Sequence, residues 1–255
     1  MMPKTLVLVR HGESEGNAAA KAAYHEGDES HYTEEFASSH DRNWSLTELG
    51  REQARATGVW LAEHFDGFDR YYVSPYRRTL QTAVALDLPD ARWRLNRSLR
   101  EREFGPLSAL SPAKREEAVR QRGGHYDGLY GALPNAESLA DVMEHRVRNF
   151  LDTLHRECAG QQVLAVSHGY FMFGTKCVLE RLADQEIVSL VEQRRFPSNA
   201  EAWVYSISDG GRFLDTFQSA RPQQVEDGWE VEVGEVTSFE LTTYSNADLA
   251  RLAEL

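Results

Sequence analysis

The chain has 255 residues, 41% hydrophobic and 27% charged, which is long enough for one large α/β domain and ordinary for a soluble globular fold. Its formal net charge of -12 argues against nucleic acid or an anionic membrane surface as a general partner, so any anion site has to be a local positive pocket in an acidic protein. The two cysteines, Cys158 and Cys177, form no pattern; they allow one disulfide, and two free thiols in a reducing compartment is the simpler reading. No apolar run reaches the roughly 18 residues of a membrane helix, and the N-terminus is too poor in apolar residues for a signal peptide, so a cytoplasmic protein is expected.

In chain order, Leu6-Val7-Leu8-Val9 makes residues 5–10 a short buried strand that runs straight into Arg10-His11-Gly12. Residues 18–45 are a polar excursion. An alanine run over 18–23 can extend a helix, and the remainder lacks clear periodicity, which predicts a functional lid or a disordered surface loop. His25, His31 and His40 lie six and nine residues apart, which matches no common zinc pattern, so they are read as solvated. Thr47 is placed to cap a helix through about Phe65, with Leu49, Gln53, Ala56, Val59, Trp60 and Phe65 on its inner face and Gly67 at its end. Residues 69–74 read as a second strand, stopped by Pro75, and the stretch through Ala83 opens a helix. Residues 92–99 cross to the segment Leu99 to Gly105. Ser111-Pro112 starts a short helix with Glu116 and Glu117 in its early turns, Gly123-Gly124 stops it, and residues 125–134 form a Tyr- and Gly-rich loop.

Leu139, Val142, Met143, Val147, Phe150, Leu151 and Leu154 fall at helical spacing and predict a helix packed on the core. Residues 162–167 are a third buried strand, ending on His168-Gly169, and a helix follows from about Tyr170 to Leu182. Asp184 caps another short helix, and residues 202–207 read as a fourth strand. In the tail, Trp229, Val231 and Val233 alternate with acids, which predicts a hairpin that turns at Gly234-Glu235 and returns over 236–241. Asn246 then caps a last helix carrying Leu249, Leu252 and Leu255. Strands alternating with helices argue one α/β domain.

Three of these strands end on Arg10-His11, on Ser74-Pro75 with Arg78 just beyond, and on His168-Gly169. Ligands of open α/β sheets bind at such strand ends. If the three share one edge, two histidines and two arginines converge, with Asn17 and the N–H groups of the following helices as neutral donors. That set suits a phosphoryl group. Guanidinium forks match and neutralise its oxygens, and their fixed charge keeps a neighbouring imidazole neutral. A neutral imidazole can attack phosphorus and hold it through an N–P bond. A carboxylic acid has to protonate the leaving alkoxide and later activate water. Glu101 is the candidate, with Glu103 and Glu13 as rivals. Because side chains supply the positive charge, neither a metal nor a cofactor is expected, and no Asp cluster or Walker-type loop is present to hold magnesium and a nucleotide.

The run Arg10-His11-Gly12-Glu13-Ser14-Glu15-Gly16-Asn17 resembles the signature of the histidine phosphatase superfamily, which includes cofactor-dependent phosphoglycerate mutase and fructose-2,6-bisphosphatase. Four further blocks are similar to that family in the right order: Leu46-Thr47-Glu48-Leu49-Gly50 with Gln53-Ala54; Ser74-Pro75 with Arg78-Thr79 and Thr82-Ala83; Leu99 with Glu101 and Phe104-Gly105; and Ser167-His168-Gly169. The resemblance spans roughly residues 5–207. It implies a three-layer α/β/α sandwich with a mostly parallel central sheet. It also implies His11 as the phosphorylated nucleophile, Arg10, Arg78 and His168 around the phosphoryl group, Asn17 in contact with it, Glu101 as proton donor and acceptor, and Gly169 lending its backbone N–H. Arg77 is read as a solvated neighbour of Arg78 or a secondary substrate contact, Glu103 as facing solvent or paired with Arg102, and Ser14 as a helix cap.

Two stretches depart from the mutases of that family. The mutases carry a short Gly-Trp-containing link where this chain has residues 18–45, and no paired Arg-Arg block follows the acid block here, only Lys114, Arg115, Arg120 and Arg122. Glu137-Ser138-Leu139 looks more like the phosphatase branches. Hydrolysis of a small phosphomonoester is therefore expected, with phosphoglycerate mutase activity using a bisphosphate cofactor as the alternative. A non-catalytic phosphate-binding member is a third reading. Lys21, Tyr24, His25, Tyr32, Arg42 and Asn43 are candidate specificity contacts. The whole chain is read as a single domain over 1–255, with an insertion at 18–45 near the active site and a C-terminal extension at 208–255. The extension's hairpin is expected as a sheet edge or as a contact in a homo-oligomer.

Overall fold

The computed structural model describes residues 1–121, 128–132, 135–211, 213–239 and 243–253. Its centre is β1 (Thr5–Arg10), whose Leu6–Val9 core is apolar and buried on both faces. Leu6 and Leu8 pack with Phe150, Leu154 and Phe171 on one side, while Val7 and Val9 pack with Trp60, Leu61 and Ala83 on the other. A strand covered on both faces reads as a continuous apolar run rather than an alternating one, and that is why β1 and β4 (Gln162–Ser167) were legible in the sequence. Each fully buried Leu or Val contributes roughly 1.5–3 kcal/mol by removal from water.

The helical layers follow the chain. After β1 come α1 (Glu15–Lys21), a π turn over Ala22–Glu26, α2 (Glu34–Ser38) and a 3-10 turn over Asp41–Asn43. The 18–45 excursion is thus largely helical in short pieces rather than a structureless loop. No piece is long enough to show a 3.6-residue period. Next are α3 (Glu48–His64), β2 (Arg70–Val73), α4 (Arg77–Ala85), β3 (Trp93–Leu95) and α5 (Pro112–Gln121). A longer helix starts as α6 (Leu139–Asp141), widens into a π turn over Val142–Val147 and continues as α7 (Arg148–Glu157). After β4 come α8 (Gly169–Leu179) and α9 (Asp184–Glu192). Of the expected positions, Arg122, Gly123, Gly124, most of the 125–134 loop, Leu241 and Leu255 lie outside the described residues, as do the side chains of Glu116, Arg120 and Leu252.

The sheet order is β3-β2-β4-β1-β5-β6-β7, where β5 is Ala202–Ser206, β6 Thr216–Val225 and β7 Gly228–Val233, and β8 (Thr237–Ser238) pairs with β6. The pairs β2–β3, β2–β4 and β1–β4 are parallel, with Arg10 opposite Ser167 and Val73 opposite Val166. That register brings the ends of β1, β2 and β4 level at one edge. From β5 outward the tail extends the same sheet antiparallel.

Several local expectations change. The inner face of α3 is made of Gly50, Ala54, Thr57, Gly58, Trp60 and Leu61, while Val59 is 60% exposed. Small residues let α3 approach the chain closely: a Cβ on Gly58 would lie 2.0 Å from the Leu86 carbonyl oxygen. The tail hairpin joins β6 to β7 around Glu226-Asp227, with Val225 opposite Gly228, not β7 to a strand at 236–241. Strand β6 carries little strand signal in the sequence, because TFQSARPQQV is mostly polar and contains Pro222, which lies beyond the last residue paired with β5, Ala220. Ala183, not Asp184, precedes α9, and Glu186 reaches back to its N–H. Ser245 rather than Asn246 caps α10 (Asn246–Ala253), through the Asp248 N–H. Cys158 and Cys177 are buried free thiols. Among the described residues no helix is long and apolar enough to cross a membrane.

Candidate active site

At the level edge of β1, β2 and β4, a cleft of about 680 Å³ opens between the strand ends and the 18–45 excursion. Arg10, His11, Asn17, Arg78, Glu101 and Gly169 all line it. His168 sits directly behind, with its ring centroid 5.1 Å from that of His11. The sequence-predicted residues therefore converge, although they come from four segments spread over nearly 160 positions.

His11 directly follows β1 and is held from several sides. Ala200 N–H and Asn199 Nδ2 donate to its carbonyl at 3.1 and 3.2 Å, and Gly12 N–H donates to Thr82 Oγ1 at 3.1 Å. Its Nδ1 lies 2.7 Å from the Gly12 carbonyl oxygen, which can only accept, so Nδ1 carries the ring proton. That leaves a lone pair on Nε2, to which Arg78 Nε–H donates at 3.1 Å. Burial, followed by the charges of Arg78 and Arg10, holds the His11 pKa well below the usual histidine value. The result is a neutral imidazole with a single reactive nitrogen.

Arg78 lies one residue into α4 and is buried, which lowers its pKa against the pull of Asp41 and Glu101. Its Nη1 donates to the Asp41 carbonyl oxygen at 2.6 Å, and Nη2 lies 4.0 Å from the Asp41 carboxylate. Arg10 donates through Nη1 to the Pro197 carbonyl oxygen at 2.5 Å, while its Nε is buried without a partner. A buried guanidinium N–H beside an imidazole lone pair is poised for an anion that brings acceptor oxygens.

His168 Nε2 is 2.8 Å from Ser74 Oγ. The Ser74 hydroxyl also accepts from Tyr76 N–H at 3.5 Å. The other ring nitrogen, Nδ1, is buried without a hydrogen-bond partner. Burial and then Arg78 lower the His168 pKa well below normal, so this ring too is neutral.

Glu101 follows a 3-10 turn over Arg97–Leu99. Its Oε1 accepts from the N–H groups of Arg102 and Tyr170 at 2.9 and 3.2 Å, which fixes the carboxyl and leaves Oε2 to the cleft. Burial raises its pKa, opposed by Arg78. A carboxyl that holds its proton longer than usual can donate it to a departing oxygen. The rivals do not line the cleft. Glu13 Oε1 accepts from Thr47 Oγ1 at 2.9 Å, and Glu103 Oε1 accepts from Gly105 N–H at 3.2 Å. Glu137 braces the acid segment: its Oε2 accepts from Glu103 N–H at 2.8 Å and pairs with Arg146, which in turn donates to the Glu101 carbonyl oxygen at 2.6 Å.

Ser14 does cap α1, in a reciprocal capping box with Asn17. Asn17 Oδ1 is committed to Ser14 and to Asn199 Nδ2, so its amide nitrogen is what remains for a ligand. Arg77 is exposed. None of Lys21, Tyr24, His25, Tyr32, Arg42 and Asn43 lines the cleft; Tyr24 instead stacks under Arg194. From the excursion it is Ala20, Asp41 and Trp44 that reach in. Neither Asp41 nor Trp44 carried a local signal, because each gains its place only through contact with Arg78 or with Gly16. The trio His11, Glu101 and His168 places three potential ligand atoms within 4.8 Å of one another, but the adjacent Arg10 and Arg78 charges oppose a cation there.

A model described as the histidine phosphatase superfamily, branch 1, matches residues 6–219. Phosphoglycerate mutase-like protein AT74 of Arabidopsis thaliana is 28% identical over 84% of this chain and 68% of its own length. A 2,3-bisphosphoglycerate-dependent phosphoglycerate mutase of Mycobacterium leprae is 30% identical over 83% of this chain and 92% of its own. Among solved structures, a mycobacterial glucosyl-3-phosphoglycerate phosphatase complexed with VO3 superposes with a TM-score of 0.62 at 20% identity, covering 90% of this chain and 98% of that one. At that identity the likeness is one of fold.

Proposed function

The chain belongs to branch 1 of the histidine phosphatase superfamily, and from that premise we propose that it hydrolyses small phosphomonoesters through a phosphohistidine on His11. The observation that carries this reading is the neutral His11 ring, with its proton on Nδ1 and only the Arg78 N–H over Nε2. When an ester enters, its phosphoryl oxygens take up the donors of Arg10, Arg78 and His168 and the amide of Asn17, which uncovers the Nε2 lone pair. The N–H of Gly169, at the start of α8, adds a further donor at a helix N-terminus. Nε2 attacks phosphorus, the bond to the ester oxygen breaks, and protonated Glu101 gives its proton to that oxygen. Water then attacks the phosphohistidine, the Glu101 carboxylate takes the water's proton, and the N–P electron pair returns to Nε2 as inorganic phosphate forms. The two guanidinium groups supply the charge stabilisation for both steps, so no metal is required.

The identity to named mutases favours a second reading, phosphoglycerate isomerisation with a bisphosphate cofactor. Hydrolysis is preferred because Arg115 and Arg102, the cations farther out in the cleft, direct guanidinium donors at main-chain carbonyls, Ser108 and Leu110 for one and Glu137 for the other. A rapid-quench assay with phosphate-labelled esters separates the readings. Hydrolysis gives inorganic phosphate and an acid-labile, alkali-stable phosphoenzyme that is absent in His11→Ala and unaffected by prolonged chelation. Conversion of 3-phosphoglycerate plus its bisphosphate to 2-phosphoglycerate without phosphate release overturns it in favour of the mutase. Label retained by His11→Ala overturns the nucleophile.

A further inference from the structure

Beyond the phosphoryl end, the cleft changes character. Its outer wall is Trp44, Phe104, Leu107, Tyr170 and Phe196, a collar contributed by the excursion, the acid segment, α8 and the segment before β5. The collar is built rather than incidental. Trp44 stacks on Phe36 with centroids 4.7 Å apart and planes 16° apart. Its ring lies where a Cβ on Gly16 would be, at 2.2 Å, so the glycine in the first motif is what allows the indole to seat against α1. Tyr170 packs between Phe104 and Phe196, at centroid distances of 5.4 and 4.7 Å.

Two guanidinium groups brace the collar. Arg102 and Arg115 stack over the Phe104 ring at 5.3 and 5.6 Å. Both also direct donors at main-chain carbonyls, where they hold the collar's own backbone. Asp41 also lines the cleft, with its carboxylate 4.0 Å from Arg78 Nη2 and 2.8 Å from His40 Nδ1. The total volume, about 680 Å³, is in the range of pockets that enclose a drug-sized ligand, well beyond a three-carbon phosphate.

We propose that the leaving-group side of this cleft selects phosphomonoesters whose alcohol carries a flat, apolar, aromatic-sized body close to the ester oxygen over esters of small alcohols. This rests on the phosphatase reading for its catalytic test, and has a binding test of its own. A planar body entering between Trp44 and the Tyr170–Phe196 pair is removed from water against ring faces and edges, which adds to plain area burial.

The catalytic test compares 2-phenylethyl phosphate with ethyl phosphate, whose leaving alcohols are similarly poor, and with 3-phosphoglycerate. kcat/KM for the aromatic ester is expected at least tenfold above either, a difference of about 1.4 kcal/mol. Trp44→Ala is expected to reduce the aromatic-to-ethyl ratio to below about threefold, and Phe196→Leu serves the same purpose if the tryptophan variant does not fold. Equal or higher kcat/KM for ethyl phosphate or 3-phosphoglycerate overturns the inference while leaving the hydrolase reading intact. The unreactive pair 3-phenylpropylphosphonate and propylphosphonate reads the collar without turnover. Tenfold tighter binding of the aromatic member supports the inference even where no ester releases phosphate, and equal binding overturns it.

Discussion

His11 and Glu101 are tuned in opposite senses by the same burial. Removal from water favours the uncharged form of each, so the imidazole stays neutral and the carboxyl keeps its proton at higher pH than usual. An uncharged base beside an uncharged acid is the starting state that a nucleophilic displacement with general-acid assistance needs. Glu101→Gln removes the transferable proton and leaves the Oε1 bonds to Arg102 and Tyr170 replaceable by the amide oxygen. It is expected to slow 2-phenylethyl phosphate by about 10²–10⁴, and p-nitrophenyl phosphate far less, because the latter's leaving group needs little protonation. Equal slowing of both would take the proton-transfer role from Glu101. At this scale His11, His168, Arg10, Arg78 and Glu101 were legible because each sits at the end of a strong apolar run or in a motif block. Asp41 was not: nothing local distinguishes it from the other acids of the excursion, and its burial beside Arg78 follows only from folding.

Elements place these residues by close backbone approach. The loop after β1 and the first turn of α3 touch so tightly that a Cβ on Gly12 would lie 2.1 Å from the Gly50 carbonyl oxygen, and one on Gly50 would lie 2.1 Å from that of Glu13. Thr47 N–H donates to the Glu13 carbonyl at 2.9 Å, and Ser14 bridges to Leu46. Gly50→Ala is therefore expected to cost about 1–3 kcal/mol in denaturant unfolding and to lower kcat by displacing Gly12, the residue that orients His11 Nδ1. Unchanged stability and turnover would show that the contact relaxes freely. The existence of α3 followed from its Thr47 cap and its length, but its inward face did not. Hydrophobicity alone points Val59 inward, whereas the fold uses Ala54, Thr57 and Gly58 there because neighbouring chain lies so near. The tail misled for a related reason. Alternation in GWEVEV identified β7, yet its partner β6 is polar, and only pairing across the sheet marks it as a strand.

For the whole molecule, the buried site links folding to pH. His11 and His168 bind protons less readily folded than unfolded, where histidine titrates near 6.5. Below roughly pH 6.5 the unfolded chain takes up protons that the folded chain refuses, so stability falls with acidification by about 1.4 kcal/mol per pH unit for each ring. Glu101 acts in the other direction: its folded pKa is raised, so stability is gained as pH falls through that value, offsetting part of the loss. Urea midpoints are expected lower at pH 5.5 than at pH 7.5, with a smaller drop in His168→Gln. The same drop in that variant would remove His168 from the linkage.

By itself, the order of residues determined the α/β class, the strands that end beside Arg10, His11, Arg78 and His168 and the family of the five motif blocks, because apolar runs and motif blocks are local signals. Tertiary structure alone decided the tautomer of His11, the position of Glu101 rather than Glu13 or Glu103 in the lining of the cleft, the attachment of the tail to the sheet and the aromatic collar over the cleft. Each of these depends on groups far apart in the chain meeting at short range, and hydrogen bonds and ring contacts act only over a few ångströms.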